Sequence, residues 1–141
     1  MKEDGNVWAL CNVIRETGFS IHSRFRHGFP ERVYSNALLH RLEKQSVGVK
    51  REPSVGVFDD DGTCLGEYFP DLIIENVIVV ELKAVRSLVP EHEAQLLGYL
   101  RCLRIQHGLL INFGAPRFQI RKYVLSSSEG LEDDQHWKTP R

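Results

Sequence analysis

Three charged side chains in a short, strongly apolar stretch carry most of the chemistry this sequence can offer. In Phe69-Pro-Asp-Leu-Ile-Ile-Glu-Asn-Val-Ile-Val-Val-Glu-Leu-Lys83, two apolar runs hinge at Glu75-Asn76, and the only charges outside the hinge are Asp71, Glu81 and Lys83. Burying an unpaired charge costs several kcal/mol, so charges on the apolar strands of a small domain need a reason. Val, Ile and Leu predict two strands, and Asn76 suits a tight turn between them. A hairpin centred there pairs residues whose numbers sum to about 152, which sets Asp71 opposite Glu81. A one-residue error in register would leave the two as diagonal neighbours, still within reach. Glu81 and Lys83 are two residues apart and share a face of their strand.

Two carboxylates about 4 Å apart repel by roughly 4 kcal/mol at an effective dielectric of 20, and one lysine offsets only part of this. Such a cluster stays net negative and acceptor-rich, which suits a hard divalent cation. Mg²⁺ takes oxygen ligands, keeps several waters, and is commonly held by one or two carboxylates plus a substrate phosphate. Lys83 would orient or polarise the attacking water, or stabilise charge on the phosphate. The spacing therefore predicts a phosphodiesterase-type metal site. Its plain alternative is a solvated strand end with an ordinary salt bridge.

The elements that must position these groups can be read around them. Residues 7–25 have helical periodicity, with Gly28 as a C-terminal breaker, and a second helix begins at Pro30 and runs to about Lys44, burying Val33, Ala37, Leu38 and Leu42. Residues 47–58 read as one extended segment with an edge or bulge at Pro53, Asp59 to Gly62 as a hairpin turn, and Thr63 to Tyr68 as the returning strand. After the charged hairpin come a helix over 90–104, a doubly buried strand at Gly108–Phe113 and a last strand at Gln119–Leu125. A meander followed by a helical crossover implies a mixed sheet with helices packed on it, an α/β class that some schemes place in α+β. On the 90–104 helix, Leu96, Leu97, Leu100 and Leu103 form the core face, while His92, Gln95 and Tyr99 form a polar stripe that could line the same cleft as the Glu-x-Lys strand.

At 141 residues the chain predicts one domain with a real core. No apolar run reaches transmembrane length, and the polar start is not a signal peptide, so the reading is an intracellular chain with no membrane partner. Cys11, Cys64 and Cys102 fit neither a disulfide framework nor a zinc spacing. The net charge of −1 hides a division: +4 over residues 1–51, −8 over 52–81, +5 over 82–125 and −2 over 126–141. The proposed metal site lies in an acidic block between two basic ones, whose side chains can meet phosphates.

Taken together, the chain resembles the PD-(D/E)XK nuclease superfamily. Pro70-Asp71 with Glu81-Leu82-Lys83 looks like its signature, and Gln95-Leu-Leu-Gly-Tyr99 is similar to the Gln-x-x-x-Tyr motif of its RecB-like and lambda-exonuclease-like branch. Gly28-Phe-Pro-Glu31-Arg-Val-Tyr34 resembles the name motif of the small GxxExxY proteins of that superfamily, and Gly66–Asp71, Glu81–Ala84, Pro90–Gln95 and Leu110–Gly114 are similar to further blocks. The likeness covers roughly residues 7–125, and departs from the family where a Leu-Gly-Pro-Gly turn reads Phe25-Arg-His-Gly28. It implies a restriction-endonuclease-like core in a nuclease-like domain at 1–125; the composition of 126–141 reads as a polar, disordered tail, a second departure from the family.

For the site, the resemblance implies that Asp71 and Glu81 bind Mg²⁺ or Mn²⁺ with the Leu82 carbonyl as a further ligand. Lys83 would be the catalytic lysine. Glu31 would add a carboxylate towards the metal or a ligating water, and Gln95 and Tyr99 would support the site. Read by residue type alone, Glu31 is an acidic first-turn residue, Gly28 and Tyr34 are structural, and His92 is a hydrogen-bonded helix histidine. The implied activity is metal-dependent hydrolysis of phosphodiesters in nucleic acid, DNA ahead of RNA. Its rivals are a nucleic-acid-binding or protein-interaction module with little turnover, and a homo-oligomer, at its simplest a homodimer, joined through an exposed sheet edge.

Overall fold

A computed structural model describes the backbone of residues 2–126 and 131–133 and the side chains of residues 6–126. The elements in chain order are α1 (Lys2–Phe25), α2 (Glu31–Lys44), β1 (Val49–Arg51), β2 (Val55–Phe58), β3 (Cys64–Tyr68), β4 (Leu72–Ile74), β5 (Ile78–Lys83), α3 (Pro90–Leu103), β6 (His107–Asn112), β7 (Gln119–Leu125) and β8 (Leu131–Asp133). The six-stranded sheet runs β1-β4-β5-β6-β7-β8. Only β5 and β6 pair in parallel, as the crossover through α3 requires, and the other neighbours are antiparallel. The architecture is the expected mixed α/β one.

Strand alternation sorts the core into two layers. Leu72, Ile74, Ile78, Val80, Leu82, Leu109, Ile111 and Ile120 face α1 and α2, and pack with Ile14, Ile21, Tyr34, Leu38 and Leu42. Ile73, Val79, Leu110 and Tyr123 face the other way, against Leu96 and Leu100 of α3. Burying each such leucine contributes roughly 1.5–3 kcal/mol. α3 comes close because Gly108 has no side chain there: a Cβ would stand 3.1 Å from methyls of both Leu96 and Leu100.

Several boundaries differ from the sequence reading. α1 begins at Lys2 rather than residue 7. It ends at Phe25, where Arg26 turns left-handed at φ 58° and donates its N–H to the His22 carbonyl; Gly28 takes positive φ, 125°, two residues later. On α2, Val33 and Ala37 are half-buried, while Tyr34 and Ser35 join Leu38 and Leu42 inside. The segment 47–58 is not one strand. Glu52, at φ 47°, breaks it, so β1 joins the main sheet beside β4 while β2 pairs only with β3 in a separate ribbon. The meander is therefore interrupted: β4 pairs with β1 and β5, not with β3. Part of the expected tail is also ordered into the sheet, since Leu131–Asp133 pairs with Tyr123–Leu125. The rest of it, 127–130 and 134–141, lies outside the described residues.

Candidate active site

The β4–β5 hairpin has the register its sequence implies. Leu72 pairs with Val80, Ile73 with Val79 and Ile74 with Ile78. Glu75 and Asn76 both take positive φ, 51° and 60°, and Val77 N–H closes the turn on the Ile74 carbonyl at 3.0 Å. Two consecutive left-handed residues make a tight turn whose twist matches the flanking strands. One step beyond the last pair, Asp71 and Glu81 meet. The Asp71 N–H donates to Glu81 Oε2 at 2.7 Å, and the Leu82 N–H donates to Asp71 Oδ2 at 2.7 Å. Each carboxylate is pinned by a backbone N–H from the opposite strand, which leaves Asp71 Oδ1 and Glu81 Oε1 as acceptors.

Glu81 is buried and Asp71 half-buried, on the face that α3 covers. Desolvation and the Asp71 charge push the Glu81 carboxyl up to about 8, against the pull of the Asp71 N–H and Lys83. Desolvation also raises Asp71, opposed by the Leu82 N–H and Lys83. The pair thus retains a proton at neutral pH unless a cation takes its place.

Lys83 follows on the same face, but forms no ion pair with either carboxylate. Its Nζ donates to Gln95 Oε1 at 3.0 Å. Gln95 also hydrogen-bonds the Tyr99 hydroxyl, and desolvation with the Glu81 and Asp71 charges pushes that phenol up to about 12. The polar stripe of α3 therefore meets β5 through one amide. Leu82 contributes its backbone here, while its side chain lies in the α1–α2 core.

Glu31 opens α2 at an exposed position near the site. Desolvation and the Asp71 charge raise its carboxyl, and Lys83 lowers it. The turn that delivers it is held by Tyr34, whose hydroxyl donates to the Arg26 carbonyl at 2.5 Å and accepts the Phe29 N–H at 3.2 Å, with its ring stacked on Phe113 at 4.7 Å. Tyr34 is thus a packing residue that positions the turn. His92 caps α3, accepting the Val89 N–H on Nδ1 at 3.1 Å; desolvation and nearby Lys83 lower its pKa.

Sequence reasoning missed Tyr68. Its ring stacks on Tyr99 at 4.3 Å and 5° between planes, and its hydroxyl reaches the Tyr99 carbonyl at 3.4 Å, so the β2–β3 ribbon is anchored on α3 beside the site. Its place within Gly66-Glu-Tyr-Phe-Pro-Asp71 was the available signal. Arg51 and Glu52 were missed as well; both charges act on Asp71, and the Glu52 N–H donates to the Asp71 carbonyl at 3.0 Å.

Among the described residues, no three His, Cys, Asp or Glu side chains form a ready-made metal cage. Two carboxylates with free oxygens at a buried strand end still fit Mg²⁺, which completes its shell with waters and substrate phosphate. The remaining described histidines and the cysteines form no ligand set; His22, for instance, bonds the Ala115 carbonyl at 2.9 Å.

The mixed sheet, its helical crossover and the acid pair beside a lysine define a restriction-endonuclease-like domain. A family model described as the PD-(D/E)XK nuclease superfamily matches residues 9–123, and the chain belongs to that superfamily. Among solved structures, the crystal structure of SSO0001 is similar, with a TM-score of 0.55 and 22% identity over 64% of this chain. At that identity the likeness is one of fold alone, and it spans 48% of SSO0001. No curated protein matches the sequence. No helix among the described residues is long and apolar enough to cross a membrane.

Proposed function

We propose that this chain is a metal-dependent nuclease, hydrolysing phosphodiester bonds in nucleic acid, DNA ahead of RNA. One observation carries the reading: the Asp71 and Glu81 carboxylates oppose each other at a buried strand end, with the Lys83 ammonium two residues on, held by Gln95. Asp71, Glu81 and the Leu82 carbonyl would hold Mg²⁺ or Mn²⁺. When bound, the cation supplies Lewis-acid polarisation of the phosphate and a more acidic water.

The chain's own groups do the remaining work. Lys83 orients the attacking water or balances charge growing on the phosphate. Gln95 fixes where that ammonium sits, and Tyr99 fixes Gln95. Glu31 reaches the site from α2 as an outer carboxylate able to hold a ligating water. The Gly28–Tyr34 and Gln95–Tyr99 motifs favour a place in the GxxExxY group and the RecB-like branch.

A cleavage panel tests the reading: single-stranded, double-stranded and branched DNA and RNA, each with Mg²⁺, Mn²⁺ or EDTA. Cleavage that needs the cation and disappears in EDTA is expected. Salt-sensitive binding with no cleavage under any metal would favour the rival reading of a binding module.

A further inference from the structure

Two exposed phenylalanines lie close in the chain to carboxylates of the site. Phe29 is 48% exposed and stands two residues before Glu31, while Phe69 is 54% exposed and stands two residues before Asp71. The other phenylalanines near the sheet, Phe113 and Phe118, are buried. Phe29 is held edge-on by Phe25 at 6.2 Å and Tyr34 at 6.3 Å, which fixes the ring and leaves part of its surface open. Phe69 has no ring contact among the described residues. A large apolar side chain left in water beside a site for charged phosphates asks for an apolar ligand part, and the flat face of a nucleobase is one.

Cations accompany these rings. Arg26 and Arg32 bracket Phe29 in sequence, and Arg86 follows Lys83 on the way to α3; all three are exposed. Lys50 pairs with Ile73, so it sits on the same sheet face as Asp71, and it too is exposed. Arg26, Lys50 and Arg86 form no ion pair among the described residues. The tip of the β2–β3 ribbon carries Asp59, Asp60 and Asp61, which repel phosphates, so exposed Phe58 at that tip lies off the track.

We infer that the strand entering this site is single-stranded nucleic acid, its bases stacked on Phe29 and Phe69 and its phosphates met by Arg26, Lys50 and Arg86. This rests on the nuclease reading for the position of the scissile phosphate. In a duplex the base faces are already stacked on one another and unavailable to the two rings. Duplex binding would then forgo the two rings and rest on phosphate and groove contacts. Aromatic stacking supplies what charge does not, independently of base sequence.

Equilibrium binding in EDTA, read by fluorescence anisotropy, separates the possibilities without turnover. The probes are an oligothymidylate, the same strand paired with oligoadenylate, and an abasic strand of equal length. The oligothymidylate should bind at least about tenfold tighter than the other two. Phe29→Ala and Phe69→Ala should each weaken it by about 5- to 150-fold, leave abasic binding unchanged, and be rescued by Trp. A duplex or abasic strand bound as tightly as oligothymidylate would overturn the inference, as would Ala variants that bind normally. Stacking-dependent binding by a chain that cuts nothing would sink the nuclease reading and leave this one standing; cleavage without it would do the reverse.

Discussion

Two acidic clusters stand ten residues apart in this chain, and the structure treats them in opposite ways. Asp59, Asp60 and Asp61 sit in water at the tip of the β2–β3 ribbon. There, Asp59 Oδ1 accepts the Asp60 N–H at 2.8 Å and Asp61 Oδ1 accepts the Thr63 N–H at 2.9 Å. The Asp61 carboxyl is lowered, chiefly by its hydrogen bonds to Thr63. Asp71 and Glu81 also accept backbone N–H bonds, yet both are raised, because desolvation outweighs the hydrogen bonds. Acidity of composition therefore does not make a site here. What distinguishes the second cluster is a strand register that drives two like charges together away from water.

The comparison breaks most visibly in catalysis. Asp71→Asn, Glu81→Gln and Lys83→Ala should each reduce metal-dependent cleavage to below about one-hundredth of the parent rate. Asn and Gln keep an acceptor for the Leu82 and Asp71 N–H groups, so circular dichroism should stay native. Asp60→Asn, one acid removed from the exposed cluster, should cut at the parent rate. Full activity in Lys83→Ala would remove the lysine from the mechanism, and loss in Asp60→Asn would erase the distinction between the clusters.

Stability against pH gives a smaller and sharper contrast. Folded Glu81 holds its proton to about pH 8, while an ordinary glutamate releases it near 4.5. Between those values the unfolded chain has lost a proton that the folded chain keeps, so rising pH favours unfolding. The contribution is whole below about 4.5, falls through the window and is flat above about 8, spanning on the order of a few kcal/mol. Denaturant titrations should show that slope in the parent and its absence in Glu81→Gln. Mg²⁺ or Mn²⁺ should stabilise the parent more at pH 8 than at pH 6, since the cation binds the deprotonated pair. A slope that survives in Glu81→Gln would assign the proton elsewhere.

The contrast was half legible in the sequence. Val, Ile and Leu on both sides of a single Glu-Asn hinge announced the hairpin, and the position of the turn, rather than the apolar set, pointed to its register, since both faces of β4 and β5 are buried. The leucine face of α3 was equally plain, and so was its polar stripe. What stayed hidden depends on partners distant in the chain. β1 leaves its neighbour β2 to pair with β4, and Tyr68 of the ribbon stacks on Tyr99 of α3. β8 is a strand only because the β7 edge offers it hydrogen bonds, against a local composition rich in Ser, Glu and Asp. Nor does spacing reveal that Lys83 turns to Gln95 rather than to the carboxylates.

The smallest effect belongs to the exposed cluster and has the opposite sign. Asp61 is stabilised as a carboxylate by Thr63, so its contribution is present at neutral pH and is lost as pH falls below the ordinary aspartate value of 3.8. Asp61→Ala should lower the melting temperature by about 1–2 °C at pH 7, because the freed Thr63 N–H is exposed and finds water. The same variant should match the parent near pH 2, where both lack the charge. Calorimetry at the two pH values measures this directly. A loss that persists at low pH would mean that the turn at Gly62, with φ 88°, needs the Asp61 side chain for its shape rather than for its charge.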